Sequence, residues 1–145
     1  MITLRVDGEP APQGSKSVGR HGGVYEKSRK VAPWRAAIRA ATLAQGSPFV
    51  TGAVDVSIVF ILPRPAGHYR TGRNSHMLKD SAPRLPMTRP DLDKLARSTL
   101  DGLKEAKVYG DDGQVVEMGV RKRYADAFAG EKPGAEITMW GDIDS

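Results

Sequence analysis

The run TRPDLDKL at residues 88–95, followed after a helical segment by VYGDDGQVVE at residues 108–117, decides the architecture of this chain. Pro90 cannot lie in a helix interior and favours extended backbone before it, so a helix is predicted to begin near Asp93 with Asp91 outside it. Two aspartates therefore precede the helix and two follow it. We expect an antiparallel excursion of the chain to bring acids from both places together.

The segment between the two acidic runs has the pattern of an amphipathic helix. Its apolar and hydroxyl side chains recur every three or four residues and are expected to be buried: Leu92, Leu95, Thr99, Leu100 and Leu103. The charged side chains fall on the opposite face: Asp93, Arg97, Asp101 and Glu105. Arg97 follows Asp93 by one turn on the same side, so a cation is expected beside the acids, where it can meet a phosphate.

Each aspartate also has a purely structural interpretation. Thr88 and Asp91 have the spacing of a capping box, and the Asp-Asp-Gly sequence at residues 111–113 is ordinary turn chemistry. Caps and turns do not, however, require an Asp-x-Asp pair before the helix together with an Asp-Asp pair after it. The combination favours a divalent-metal site of the kind that a nuclease uses.

The two runs resemble the motifs of a known nuclease family. RPDLDKL at residues 89–95 and YGDDGQVV at residues 109–116 are similar to the Asp-x-Asp-Asn-x-x-Lys and Asp-Asp-x-Gln-Val segments of the RusA family of Holliday junction resolvases, common in phages and prophages. The resemblance implies a homodimer that hydrolyses phosphodiester bonds in branched DNA, such as four-way junctions, in DNA recombination and repair. It also implies Mg²⁺ as the cofactor, and we expect Mn²⁺ to substitute for it.

The same resemblance assigns roles to individual residues. It implies that Asp91, Asp93 and Asp112 are catalytic carboxylates that bind the metal. Two positions depart from the family pattern, because Lys94 stands where Asn is usual and Arg97 stands where the catalytic-helix Lys is usual. Arg97 is expected to stabilise charge on the phosphate, but a guanidinium does not readily donate a proton. Two other acids are reserve ligands: Asp111 and Glu117.

Composition bounds the class of protein. The 145 residues suit a single domain over residues 1–145. The absence of cysteine excludes disulfides and thiolate metal sites. Because no run of about 18 apolar residues suggests a membrane span, we expect a cytoplasmic protein without a membrane partner, and the resemblance implies a bacterial or prophage origin. Residues 9–23 lack the glycine-lysine pattern of a phosphate-binding loop, so no nucleotide cofactor is expected.

Charge is distributed unevenly within a net charge of +5. Residues 1–90 contain 14 Lys and Arg against 5 Asp and Glu, whereas residues 91–145 contain 8 against 12. A basic half beside an acidic cluster suits a protein that grips DNA phosphates, although a solvated basic surface has the same signature. The basic loop at residues 64–88 is expected to engage DNA and to order on binding it. Eight cations are predicted to contact DNA: Lys16, Arg20, Arg35, Arg39, Arg70, Arg73, Arg89 and Lys94.

The order of predicted elements indicates an α+β domain. A mixed or antiparallel sheet of about four strands, with two helices packed on it, accommodates that order. Trp34, on the apolar face of the first helix, is expected in the core or in a dimer contact. Strands are predicted at residues 1–6, 24–26, 54–62, 114–124 and 135–140, and helices at residues 31–45 and about 93–107.

Two other functions fit the same sequence. A non-catalytic DNA- or RNA-binding protein would use the acids as caps and turns. A metal nuclease with another substrate would act on flaps or replication forks. Incubating the protein with each of these DNA structures, with and without Mg²⁺, separates the three functions.

Overall fold

The computed structural model describes residues 1–14, 16–18, 24–26 and 29–144, with residues 16–18, 24–26 and 143–144 described by their backbone alone. These residues form a small α+β fold with two α-helices. The elements in chain order are β1 (Ile2–Asp7), β2 (Lys16–Val18), β3 (Val24–Glu26), α1 (Val31–Ala44), β4 (Phe49–Val50), β5 (Val54–Leu62), α2 (Leu92–Glu105), β6 (Val115–Tyr124), β7 (Gly134–Trp140) and β8 (Ile143–Asp144).

The main sheet has four strands in the order β1-β7-β5-β6. β5 and β6 are parallel, whereas β7 is antiparallel to both β1 and β5. A parallel pair requires a crossover connection, and the connection here contains α2. The prediction of a mixed sheet of about four strands with two helices is therefore confirmed.

Two additional strand pairs accompany the main sheet. β2 pairs with β3, and β4 pairs with β8, both antiparallel. β4 and β8 are two residues long and were not predicted, because a strand of that length has no alternating pattern to read.

Alternation along the strands builds the core. In β1, Leu4 and Val6 are fully buried, and in β7 the buried residues Ala135, Ile137 and Met139 alternate with more exposed ones. Both helices pack on this apolar side of the sheet region, with α1 against β1 and α2 beside α1. The layered arrangement leaves β6 at the edge of the sheet, where every residue is at least partly exposed.

The two helices are joined by specific polar contacts. Trp34 is 1% exposed, and its indole Nε1 donates a hydrogen bond to Thr99 Oγ1 at 3.1 Å. Trp34 is thus a core residue, as the sequence predicted. Arg35 lies between the helices and makes ion pairs with Asp101 at 3.6 Å and Glu105 at 3.1 Å.

The basic loop at residues 64–88 contains local structure. It includes two 3₁₀ turns, Ala66–His68 and Gly72–Asn74, and a β-bridge between Tyr69 and Leu78. Ordering of this loop by DNA stays a prediction. Neither α1 nor α2 is long and apolar enough to cross a membrane, and the part of the chain that is described has no other candidate.

The β1–β7 pairing predicts a sharp difference between two glycines. A Cβ at Gly134 would overlap the backbone carbonyl of Val6, whereas a Cβ at Gly119 on β6 would meet no atom within 4 Å. We expect Gly134→Ala to lower the free energy of unfolding by about 1–3 kcal/mol, because the strands must separate to admit the methyl group. Gly119→Ala is the matched control and should be neutral or slightly stabilising. Urea unfolding of both variants checks this, and equal stability of the two would contradict the register.

Candidate active site

Asp91 lies immediately before α2 in extended backbone, with φ −68° and ψ 136°. The helix begins at Leu92, so Asp91, and not Thr88, occupies the N-cap position. The prediction that Asp91 lies outside the helix is confirmed, and the alternative capping box around Thr88 is wrong. The Asp91 carboxylate makes no capping hydrogen bond, which leaves its oxygens available to another ligand.

Lys122 on β6 holds the segment that leads into Asp91. Its Nζ donates hydrogen bonds to the carbonyl oxygens of Thr88 at 2.7 Å and Pro90 at 2.9 Å. Lys122 is paired in register with the buried Phe60, so it emerges on the side of the sheet that faces the core. A charged group there needs polar partners. Lys122 lies in the strand predicted at residues 114–124 and was given no role there, although its place in the alternation of that strand was a usable signal.

A cavity of about 610 Å³ lies between α2 and β6, and we call it the α2 cavity. Its apolar wall consists of Leu92, Ala96, Leu100, Val115, Met118 and Val120. Its polar rim consists of Asp93, Arg97, Asp101 and Asp112. The charged stripe of α2 therefore lies where the sequence predicted, with Arg97 one turn beyond Asp93.

The turn after α2 is held by the side chain of Gln114. Its Oε1 accepts hydrogen bonds from the backbone amides of Gly110 and Asp111, both at 2.9 Å. Its Nε2 donates to the carbonyl oxygens of Val50 at 2.9 Å and Gly52 at 3.0 Å. One amide group thus ties the acidic turn to the entrance of β5. Sequence reasoning noted Gln114 within its motif and assigned it no role.

The two acids of this turn have different environments. Asp111 accepts a hydrogen bond from the Gly113 amide at 2.8 Å and completes a capping box with Gln114. Asp112 lines the α2 cavity, with Lys104 Nζ at 3.7 Å from its carboxylate. The structural interpretation therefore holds for Asp111, while Asp112 is exposed to the cavity.

Tyr109 closes one wall of the α2 cavity. Its hydroxyl donates to the Leu100 carbonyl at 2.8 Å. Burial, and then the charges of Asp112 and Asp101, raise the pKa of Tyr109 well above its usual range. The phenol therefore stays neutral at all ordinary pH values and supplies a rigid wall instead of a titrating group.

The three predicted metal ligands do not converge within one chain. Among the described residues, no three acidic or histidine side chains are grouped so that they could hold a metal ion. Asp93 and Lys104 are eleven residues apart on α2, or about 16 Å along its axis, and Asp112 lies beside Lys104. Magnesium-to-oxygen distances are about 2 Å, so a shared ion would require these carboxylates to approach one another across the α2 cavity, which both of them line. The acids therefore form no three-ligand group among the described residues of one chain, and their sharing of one ion stays a prediction.

The carboxylates nevertheless suit a hard divalent cation in kind. Asp91 and Asp93 are exposed, and neither carboxylate has a hydrogen bond or ion pair among the described residues. Unpaired carboxylate oxygens are the ligands that Mg²⁺ and Mn²⁺ prefer. Glu117 lies on β6 in register with Asp55 and does not line the α2 cavity, so it is poorly placed as a reserve ligand.

Asp91 lines a second cavity, of about 530 Å³, and not the α2 cavity. Arg89 and Lys94 line it together with Lys30, which pairs with Glu9 at 3.1 Å. Lys30 was not among the predicted DNA contacts. This cavity combines one candidate ligand with three cations.

The remaining predicted DNA contacts lie in varied places. Arg39 and Arg73 are exposed, whereas Arg70 bonds the Leu78 carbonyl and pairs with Asp80 within its own loop. Arg35 is committed to the helix interface described above, which favours a structural role for it over DNA contact. Lys16 is described by its backbone alone, and Arg20 lies outside the described residues.

Comparison with known proteins extends the likeness over almost the whole chain. Residues 7–139 match the family described as Endodeoxyribonuclease RusA. An uncharacterized protein of Bacillus subtilis (strain 168), YqaN, is 29% identical over 144 residues, which cover 95% of this chain and 94% of the relative. The match thus includes the sheet and both helices as well as the acidic motifs.

The hydrogen bonds from Lys122 to the carbonyls of Thr88 and Pro90, which we call the Lys122 bridge, predict that replacing this lysine destabilises the segment before Asp91. Lys122→Met removes the donor to two carbonyls and should cost about 1–3 kcal/mol of unfolding free energy. The amide of Leu95, which bonds the Asp91 carbonyl at 3.1 Å, should exchange its hydrogen faster. Lys132→Met, at an exposed lysine, is the matched control and should stay within about 0.5 kcal/mol. Urea unfolding and hydrogen exchange check both, and an unchanged Leu95 exchange rate would refute the bridge.

Proposed function

Because this chain belongs to the RusA family of endodeoxyribonucleases, we propose that it cuts branched DNA at four-way (Holliday) junctions in a reaction that needs Mg²⁺ or Mn²⁺. The proposal places the protein in DNA recombination and repair. The observation that carries it is the rim of the α2 cavity, where exposed carboxylates lie beside the uncommitted cation Arg97. A cap-and-turn role accounts for Asp111 but not for Asp91, Asp93 or Asp112.

The proposed ligands are Asp91 and Asp93 at the start of α2 and Asp112 beyond its end. A divalent cation held by these oxygens supplies Lewis-acid polarisation of a phosphate and a bound water of lowered pKa. Arg97 stays protonated, so its role is to bind the phosphate oxygens and to stabilise the charge that develops on them. Lys104, beside Asp112, offsets the charge of that carboxylate.

We propose that the DNA backbone runs past the second cavity. Arg89, Lys94 and Lys30 surround Asp91 there, so they are placed to bind phosphates next to the one that is cut. Arg39 and Arg73 extend the basic surface. Lysine at position 94, in place of the family's usual Asn, adds one charge to this path, which favours tighter and more salt-sensitive binding.

A homodimer resolves the separation of the acids. No described residue covers the apolar wall of the α2 cavity beside the edge strand β6, and Met118 on it is 45% exposed. A second copy that packs its α2 antiparallel against this wall would bury it. Two-fold symmetry would then set the start of one α2 opposite the end of the other, so that Asp91 and Asp93 of one protomer meet Asp112 of the second.

The two acids of the Asp-Asp turn provide a matched pair of variants. Asp112→Asn should lower Mg²⁺-dependent cleavage of a four-way junction by about 100-fold or more without loss of junction affinity. Asp111→Asn keeps an oxygen that can cap the turn and should cut normally. Gel assays of cleavage and binding on junctions, flaps and forks check this. Normal cleavage by Asp112→Asn would refute the active-site assignment.

Subunit complementation tests whether a site is shared between protomers. Asp93→Asn and Asp112→Asn should each be inactive, but a co-refolded mixture should recover about a quarter of the native rate, because mixed dimers contain one intact site. A mixture of Asp91→Asn and Asp93→Asn, whose changes fall in the same half of the site, is the control and should stay inactive. Failure of the first mixture to cut would contradict the shared site and leave the nuclease proposal to the previous test.

A further inference from the structure

The connection between β6 and β7 presents a large aromatic ring to solvent. Phe128 is 73% exposed and lies in the 3₁₀ turn Ala127–Ala129. Single exposed apolar residues are common and need no explanation by themselves. The surroundings of this ring, in contrast, form a defined pocket.

The turn that carries Phe128 is braced from both sides. The Asp126 carboxylate accepts hydrogen bonds from the amides of Phe128 at 3.1 Å and Ala129 at 3.2 Å. Glu131 forms a two-bond ion pair with Arg123 and accepts the Asp126 amide at 2.9 Å. The hydrogen bonds from Arg123 lower the pKa of Glu131 to about 2, so the brace persists at all ordinary pH values. The backbone that carries the Phe128 ring is therefore held in place.

A cavity of about 300 Å³ lies beside the ring, and we call it the Phe128 pocket. The rings of Tyr69 and Tyr124 line it with Phe128, and so do three arginines: Arg64, Arg84 and Arg123. Of these arginines, Arg123 is paired with Glu131, which leaves Arg64 and Arg84 as the cations that a ligand would meet. Among the residues that the structure describes, Asp126, which caps the turn, is the one carboxylate that lines this pocket.

Arg64 is fixed in place at the pocket wall. Its guanidinium lies 4.2 Å from the centre of the Tyr124 ring and donates to the Pro83 carbonyl at 2.7 Å. The centroids of the His68 and Tyr124 rings lie 5.5 Å apart, and the two rings are perpendicular. Tyr124 is therefore held by a guanidinium over its face and by an edge-to-face contact with an imidazole.

We propose that the Phe128 pocket binds a nucleobase of DNA that has left its stack. Aromatic rings offer a stacking face to any base, and arginine planes add a cation–π contact and attract the neighbouring phosphates. An apolar segment of a protein partner would gain little from the arginines. The inference rests on the proposed function for its ligand, DNA, and goes beyond it by assigning a site for an unpaired base.

The pocket is connected to the proposed active site through two segments. Tyr124 follows Lys122 by two residues on the same face of β6, or about 7 Å along the strand, and Lys122 holds the lead-in to Asp91. The loop at residues 64–88, which supplies Arg64, Tyr69 and Arg84, continues directly into Arg89. A base held in the pocket would therefore position the strand that passes Asp91. Branched DNA offers unstacked bases at its exchange point, whereas intact duplex does not.

The experiment compares the affinities of the full-length protein for three DNAs, measured in EDTA so that no strand is cut. The DNAs are a four-way junction with 2-aminopurine beside the exchange point, a single-stranded oligothymidylate and an unbroken duplex of equal length. We expect Phe128→Ala to weaken binding of the junction and the single strand about tenfold and duplex binding less than twofold. Phe128→Tyr should bind as the native protein does, and the 2-aminopurine fluorescence change should be absent only in Phe128→Ala.

Leu43→Ala is the matched control, because Leu43 is 69% exposed on α1 and does not line the pocket. Equal effects of Phe128→Ala and Leu43→Ala, or equal weakening of all three DNAs by Phe128→Ala, would overturn the proposal. A difference in solution mass between Phe128→Ala and the native protein, measured without DNA, would also overturn it, since that identifies Phe128 as a contact between protein chains. If Phe128→Ala binds normally while Asp112→Asn abolishes cleavage, only the pocket fails. If Phe128→Ala weakens binding of the junction and the single strand as expected, but the native protein cuts no DNA in Mg²⁺, only the proposed nuclease function fails.

Discussion

The parallel pairing of β5 with β6 is the constraint on which the rest of this structure depends. Parallel neighbours cannot be joined by a tight turn, so the chain must leave β5, cross one face of the sheet and return. The crossing contains the basic loop and then α2, and it puts acids at both ends of that helix. Because β6 is the last strand of the sheet, nothing in the described fold covers its apolar side beside α2. The acidic groups and the uncovered surface thus arise from the same topology.

Two side chains convert this topology into fixed positions for the acids. Lys122 binds the carbonyls that precede Asp91, and Gln114 links the turn that carries Asp112 to the residues that precede β5. In both cases one polar group satisfies backbone atoms that have no place in a helix or a strand ladder. The carboxylates themselves are left with few partners. The backbone beside Asp91 and Asp112 is thus fixed, while the oxygens of their carboxylates remain available. A ligand-binding site requires both properties.

Much of the fold and part of the site could be predicted from the sequence. The bounds of β5 and the exclusion of Asp91 from α2 follow from local rules, since apolar runs and proline act over a few residues. Trp34 was predicted to lie in the core or in a dimer contact, and it lies in the core. The role of Arg35 could not be predicted, because its partners Asp101 and Glu105 lie far along the chain. The two hydrogen bonds from Lys122 could not be predicted either, because they join residues that are 34 and 32 positions apart in the sequence.

The length of α2 limits how the acids on its two sides can meet. A helix of 14 residues spans about 21 Å, so ligands before and after it cannot meet unless the chain folds back along its whole length. If the metal ligands of one active site come from opposite ends of α2 in two protomers, the protein must dimerise before it can cut DNA. At protein concentrations well below the dissociation constant of such a dimer, the rate of DNA cleavage would rise with the square of the protein concentration. A nuclease assembled as proposed above would cut little DNA until enough of it had accumulated.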